Sequence, residues 1–440
     1  MLHASGVTSI LSVLVLGLAA TALAASPPSV PGVDAPELAK LGAHAVGVRT
    51  LKLVDKGQLD LMAFDPKTGT APRHDRTLQI VLWYPARSST TQTPETYTDS
   101  LASEPPSPPA TFHMPGIAVR DAQAEGGRYP LVIVAHGYGN VPVAMSWLTE
   151  NLASKGYVVA AIRHNDDYLN PASLPNSLLR RPLDIAFVAR QLQGSLGRDG
   201  LVDPTRTVLI GYSQGGYGVL TSGGAVLDPA GPMAQRFPGG LLAPYTRNGV
   251  SAADLLAPNV RAVVAISPAG GTYGSWGADG LQGIKVPLLL IAGDRDLTLD
   301  YKLHARAFFD QARNSNRYLL TFLNGGHGLG LGPAPDEMRH RLWDQDWFED
   351  PVWRKDRLTG VMQHFITAFL DRYVKDDASR RAYLDGLVER GDEGTWNAPP
   401  DTPWGAQSPG GDGVTLWKGF ARRHAEGLTL MHREAGAAQP

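Results

Sequence analysis

Gly211-Tyr212-Ser213-Gln214-Gly215 is the stretch best suited to chemistry. An apolar run, Val208-Leu209-Ile210, leads straight into it, and a small-residue helix start follows. In that setting Gly-x-Ser-x-Gly forms a sharp strand-to-helix turn that lifts a hydroxyl above the sheet edge. Gly211 and Gly215 are expected where a side chain would collide with the neighbouring strand and helix. A serine hydroxyl is a poor nucleophile until a base takes its proton. Two later strand ends offer the partners. Leu288-Leu289-Leu290-Ile291-Ala292-Gly293 runs into Asp294-Arg295-Asp296, and Phe322-Leu323-Asn324-Gly325-Gly326 runs into His327. His327 is expected to take the Ser213 proton at Nε2 while a carboxylate holds its Nδ1–H. Asp296 fits a Gly-x-x-Asp placement after the strand; Asp294 is the alternative, unless it pairs with Arg295 or caps the next helix.

Such a set performs acyl transfer, which also needs two backbone N–H groups aimed at the tetrahedral oxygen. Gln214, the residue after the nucleophile, is one candidate. The other is Tyr138, in Ala135-His136-Gly137-Tyr138-Gly139-Asn140 after an earlier strand. The Tyr138 ring and Trp276 are candidate substrate contacts. His136 is expected to brace its loop. The loop 163–168 could touch substrate or a cation, or be simply solvated. Trp343, Trp347, Phe348 and Trp353 read as an aromatic cover over the core or as a lipid- or polymer-facing patch.

These residues need a scaffold that brings distant strand ends together. Short continuous apolar runs at 131–135, 158–162, 208–210, 260–266 and 286–292, with a further candidate at 318–323, suit strands buried on both faces. Helical patterns intervene at 145–154, 184–196, 301–314 and 358–373. The alternation predicts a mostly parallel, doubly wound α/β sheet with helices on both faces. Two earlier runs, 48–54 and 78–84, alternate with period two and read as antiparallel strands. The Ser-, Thr- and Pro-rich stretch 86–115 reads as a long surface loop, and 222–259 as a small inserted cap that shapes the pocket.

The composition narrows the function. The 440 residues carry 40 basic and 42 acidic side chains, so no electrostatic footprint for nucleic acid or an anionic membrane exists. There is no Cys, which excludes disulfides, thiolate metal sites and a cysteine nucleophile. No metal-site, Walker or dinucleotide motif occurs, so the chemistry is expected to need no metal or cofactor. No Lys, Arg, Asp or Glu precedes Asp34, and an apolar run ends at Ala22-Leu23-Ala24. Residues 1–24 therefore read as a signal peptide, with export to the periplasm or medium and no stable membrane insertion after its removal. An uncleaved anchor is the alternative. An exposed leader (25–47) would precede the main domain (48–373), and 374–440 would be an extension.

Strand-His136-Gly137-Tyr138-Gly139, Gly211-Tyr212-Ser213-Gln214-Gly215-Gly216, Gly293-x-x-Asp296 and Gly326-His327 together resemble the α/β-hydrolase superfamily. The entry Gly47-Val48-Arg49-Thr50 with Leu82-Trp83-Tyr84-Pro85 resembles bacterial predicted dienelactone hydrolases, which in turn resemble platelet-activating-factor acetylhydrolases and secreted polyester hydrolases. Dienelactone hydrolase proper carries Cys where this chain has Ser213. The resemblance implies a serine hydrolase acting on small-molecule, lipid or polymer esters. Its alternatives are an amidase or peptidase with the same triad, or a silent binding module on the same fold.

Overall fold

The computed structural model describes residues 26–88, 92–166, 168–395 and 413–437. The expected signal peptide, 1–24, lies outside the described residues. The chain begins with β1 (Ala45–Leu59) and β2 (Arg73–Ala86), a long antiparallel pair. A small hairpin follows, β3 (Thr96–Leu101) and β4 (Ala110–Pro115), and then a short edge strand, β5 (Val119–Arg120). The alternating part is β6 (Tyr129–Ala135), α1 (Ser146–Ser154), β7 (Val158–Arg163), α2 (Leu174–Arg198), β8 (Val202–Tyr212) and α3 (Gln214–Ser222). After a short α4 (Pro232–Gln235) come β9 (Val260–Ile266), β10 (Leu288–Gly293), α5 (Ala307–Gln311) and β11 (Arg317–Phe322). Then α6 (Leu342–Asp346), α7 (Lys355–Tyr373) and β12 (Leu428–Arg433) complete it.

Ten strands form one sheet in the order β12-β11-β10-β9-β8-β6-β7-β2-β1-β5. The block from β7 through β6 to β11 is parallel, and β2 and β12 flank it antiparallel. The continuous apolar runs follow from burial on both faces. Val132 and Val134 of β6 enter one core with α1 and α7, while Leu131, Ile133 and Ala135 enter the other with α2 and α3. Chain order reverses around β6, which sits between β7 and β8, and a crevice opens beyond the strand ends at such a point.

Three expectations need correction. The stretch 86–115 is not a bare loop: Tyr97, Leu101, Phe112 and Met114 of the β3–β4 hairpin are buried in the core. The Pro- and Ser-rich composition belongs to its connections, while alternate strand positions pack inward. The leader is not wholly exposed either, since Ser29 is buried and its Oγ donates to Glu150 Oε2 at 2.7 Å. The sheet does not end near 373: β12 pairs with β11, and Trp417 and Phe420 are buried beside α7.

The same interior buries four imidazoles, at His136, His164, His304 and His364, and burial lowers the pKa of His304. Burial pushes His164 down to about 4 and His364 to about 3, and holds His136 well below its ordinary value. An unfolded chain binds protons on these rings from about pH 6.5 downward while the folded chain does not. Stability is therefore present above that pH and falls as pH drops toward the folded values, by up to about 1.4 kcal/mol per pH unit for each ring. Buried Glu150 and part-buried Asp55, whose pKa values are raised by desolvation, work in the opposite sense against the four rings. Urea titrations at pH 7.5 and 5.0 are expected to show a loss of at least about 2 kcal/mol at the lower pH; equal midpoints would contradict it.

Candidate active site

β8 ends at Tyr212 and α3 begins at Gln214, so Ser213 alone makes the turn between them. Its φ of 54° and ψ of −116° are strained for a residue with a side chain, a state that costs about 1–3 kcal/mol and needs a surrounding that enforces it. The glycines provide that surrounding. A Cβ on Gly211 would lie 2.2 Å from Gly215 O, and one on Gly215 would lie 2.0 Å from Ala135 O at the end of β6. The Ser213 N–H donates to Ile266 O at 2.9 Å and its carbonyl accepts from the Ala269 N–H at 2.9 Å.

The half-buried His327 sits in the loop after β11, with Nε2 3.1 Å from Ser213 Oγ. Its Nδ1 is 2.6 Å from Oδ2 of Asp296, a buried carboxylate in the loop after β10. A carboxylate accepts only, so Nδ1 carries the proton and Nε2 is left free to accept from the serine. The other Asp296 oxygen, Oδ1, accepts the N–H groups of Thr298 (2.9 Å) and Leu299 (2.8 Å), which fixes the carboxylate plane. Asp294 takes neither a place beside the imidazole nor one of the two roles expected for it. Its Oδ1 accepts the Asn324 N–H at 2.6 Å and so ties the β10 loop to the β11 loop.

The histidine loop is gripped on both sides of His327. The Gly326 N–H donates to Asp350 Oδ2 at 2.7 Å, and the Gly328 carbonyl accepts from Lys355 Nζ at the start of α7. Tyr212 adds a third hold: its hydroxyl donates to His327 O at 2.9 Å, and its ring lies 5.3 Å from the imidazole. Burial lowers the Lys355 ammonium to about 7 against the opposing pull of Glu349 and Asp350. None of these three was singled out by sequence reasoning; only Tyr212, adjacent to the nucleophile, carried a positional signal. Lys355→Met is expected to lower kcat by about 10- to 100-fold with little change in KM, because a displacement near 1 Å at a reacting group is that costly. Steady-state kinetics well below the melting temperature check this; an unchanged kcat would make the grip structural only.

The loop after β6 is held from behind. Buried Arg181 of α2 donates to the carbonyls of His136 and Gly137 and pairs with Asp166. Asp166 accepts the Gly139 N–H at 3.2 Å and the Ser177 hydroxyl at 2.8 Å, and the Gln214 side-chain amide donates to that hydroxyl at 3.0 Å. His136 lies behind the loop, its Nε2 accepting from the His164 N–H at 3.2 Å. His164 in turn contacts Asp184, which Arg76 holds with two bonds of 2.8 Å. Within the loop 163–168, Arg163, His164 and Asp166 are tied into this scaffold by side-chain bonds, Asn165 and Tyr168 are exposed, and Asp167 lies outside the described residues. Gln214 is the first residue of α3, so no intrahelical carbonyl takes its N–H.

A cleft of about 690 Å³ opens over Ser213 and His327. Its walls include Tyr138, Tyr168, Tyr273, Leu299, Trp343 and Trp347. The Tyr138, Tyr168 and Trp347 rings follow one another at 5.7 and 4.8 Å between centroids. Trp276 is not in the wall, contrary to expectation. It is 2% exposed, stacks on Tyr217 at 5.4 Å and donates from Nε1 to Thr221 Oγ1 at 3.2 Å, because its loop folds back over α3 rather than toward the serine. Residues 222–259 contribute nothing to the cleft lining; Met233, Phe237, Leu242 and Leu255 pack that segment against the α2–α3 face. The aromatic group at 343–353 divides: Phe348 and Trp353 are core, and Trp343 and Trp347 face the cleft. Among the described residues no cluster of His, Cys, Asp or Glu could hold a metal ion.

A sheet of this order, with a strained serine between β8 and α3, defines the α/β-hydrolase fold. Within it, residues 115–234 match the family model described as PET hydrolase-like, a stretch containing Tyr138, Ser213 and Gln214. Cutinase 2 of Thermobifida cellulosilytica is 24% identical over 192 residues, covering 43% of this chain and 57% of that protein. A cutinase of Thermobifida fusca (strain YX) is likewise 24% identical over 192 residues, covering 43% and 47%. The chain thus spans about half the length of the curated relatives it matches. A solved ferulic acid esterase from Streptomyces cinnamoneus aligns with a TM-score of 0.48 and 21% identity over 75% of this chain and 90% of that one.

Proposed function

We propose that the chain is a serine esterase that hydrolyses carboxylic esters through an acyl-enzyme on Ser213. The observation that carries this reading is the unbroken line from Asp296 through His327 to Ser213 at the floor of an apolar cleft. Ser213 Oγ adds to the ester carbonyl as its proton passes to His327 Nε2. The N–H groups of Gln214 and Tyr138 stabilise the oxyanion. The imidazolium then protonates the departing alkoxide. A water molecule gives a proton to the same nitrogen as it attacks the acyl carbonyl, and the imidazolium returns that proton to Ser213 Oγ as the acid leaves. The similarity to cutinases supports ester over amide bonds and over a silent binding module.

Labelling of Ser213 by a fluorophosphonate, followed by turnover across p-nitrophenyl esters of increasing acyl length, tests the proposal. Absence of both labelling and turnover would reject it. A second reading within the class, action at a lipid or polymer surface, is favoured by the rim of the cleft. Tyr168, Leu169, Leu297, Leu342 and Trp343 are all exposed there or beside its lining residues, and scattered apolar residues rarely gather so around one opening. Export belongs to the same proposal and rests on the uncharged apolar stretch 1–24; a mature chain starting at Ala25 in the medium or periplasm would support it. Among the described residues no helix is long and apolar enough to cross a membrane.

A further inference from the structure

We infer that Asp346 selects the charge of the ester that enters the cleft, admitting substrates with a cationic group most readily and those with a carboxylate least. The inference rests on the esterase reading above. Among the described residues that line the cleft, Asp346 is the only Asp or Glu, and there is no Lys or Arg. The carboxylate is exposed and makes no hydrogen bond or ion pair with any described residue. Its charged neighbours in sequence are drawn elsewhere. Arg339 donates to Ala334 O at 2.9 Å and faces Glu349, Arg341 donates to the hydroxyls of Ser103 and Ser107, and Asp344 is buried and accepts from Ser103 Oγ at 2.6 Å. No nearby cation neutralises Asp346 through these contacts.

The local geometry adds to the charge. Trp343, Asp346 and Trp347 are spaced i, i+3 and i+4 across α6 and its helical C-cap, so they share one helix face. That face turns to the cleft, because all three line it. Tyr168 packs edge-on against Trp347 at 4.8 Å. A carboxylate on the same helix face as two indoles, in a cleft that a phenol also lines, attracts a cation by charge while the ring quadrupoles add to the pull. A quaternary ammonium suits it well, since it is weakly hydrated and has a broad apolar surface. The concave apolar wall strengthens the field over that of a flat surface. A substrate carboxylate meets repulsion at Asp346, with no Lys or Arg among the described lining residues to offset it.

The test compares three butyrate esters on the full chain: the choline ester, its uncharged 3,3-dimethylbutyl isostere, and the 3-carboxypropyl ester. Shape is held nearly constant within the first pair. Wild type is expected to prefer choline over the isostere by about three- to tenfold in kcat/KM, and the isostere over the anion by a similar factor. Both ratios are expected to shrink in high salt. In Asp346→Asn they should fall toward one, and in Asp346→Lys they should invert. Because each ratio is taken within one variant, a partial loss of folded enzyme cancels. Equal ratios in wild type and Asp346→Asn, with all three esters turning over, would overturn charge selection and leave the esterase reading standing. No turnover of any ester, with Ser213 unlabelled by fluorophosphonate, would remove both.

Discussion

Ser213→Ala is expected to lower kcat on p-nitrophenyl butyrate by about 10⁴- to 10⁶-fold, because the acyl-enzyme route disappears with the hydroxyl. What remains is attack by water in a site that still binds the ester and still presents two backbone N–H groups, a background of about 10³–10⁴ over solution. The substitution keeps the Cβ, and the turn is enforced by Gly211, Gly215 and the backbone bonds of Ser213 rather than by its Oγ. The strand-to-helix corner should therefore survive, and the circular dichroism spectrum and melting temperature should stay close to wild type. Loss of activity with the fold retained separates chemistry from stability. Near-normal turnover would place the nucleophile elsewhere, and among the described residues that line the cleft Ser213 is the only serine.

How far this site could be read from the chain depends on what kind of interaction fixes each residue. Ser213 was legible because the elbow is a local device: neighbouring glycines are demanded by atoms 2.0–2.2 Å from where a side chain would begin. The inner strands were legible because burial on both faces leaves no polar alternation, as Leu131 to Ala135 show. Trp276 and Trp347 were not separable, since each is an aromatic residue near the sheet edge and only the fold-back of a loop decides which faces solvent. The holds on the histidine loop were invisible for a related reason. Lys355 lies at the start of a helix 28 residues after His327, where a basic residue reads as surface; its burial arises from packing against Gly328. The 301–314 segment shows a smaller miss. Its helical pattern is real, but it divides into a π-helical turn at Lys302–Arg306 and α5, with His304 Nε2 accepting the Thr272 N–H at 3.2 Å. Nothing in apolar periodicity distinguishes that widened turn from a regular one.

Asp296→Asn is expected to cost about 10³- to 10⁴-fold in kcat, and Asp294→Asn no more than a few fold. The difference comes from what each carboxylate already accepts. Asp296 Oδ1 receives two backbone N–H groups, from Thr298 and Leu299, and only Oδ2 faces His327. An asparagine must keep its carbonyl oxygen toward those two donors, since turning the amide would set NH₂ against N–H. Its NH₂ then points at His327 Nδ1. A donor there forces Nδ1 to accept, which moves the ring proton to Nε2, the atom 3.1 Å from Ser213 Oγ. The imidazole then presents a donor to a hydroxyl whose proton it has to remove, with its ring position unchanged. Asp294 meets one backbone donor, Asn324 N–H, which a carboxamide oxygen can serve as well as a carboxylate. The β10 and β11 loops also remain joined by the Arg295 N–H to Gly325 O bond at 3.0 Å. Parallel kcat measurements on the two variants decide the matter. The reverse ranking would move the acid to Asp294 and require the two loops to rearrange before catalysis, because in the structure Asp294 bonds Asn324 while Asp296 alone reaches the ring.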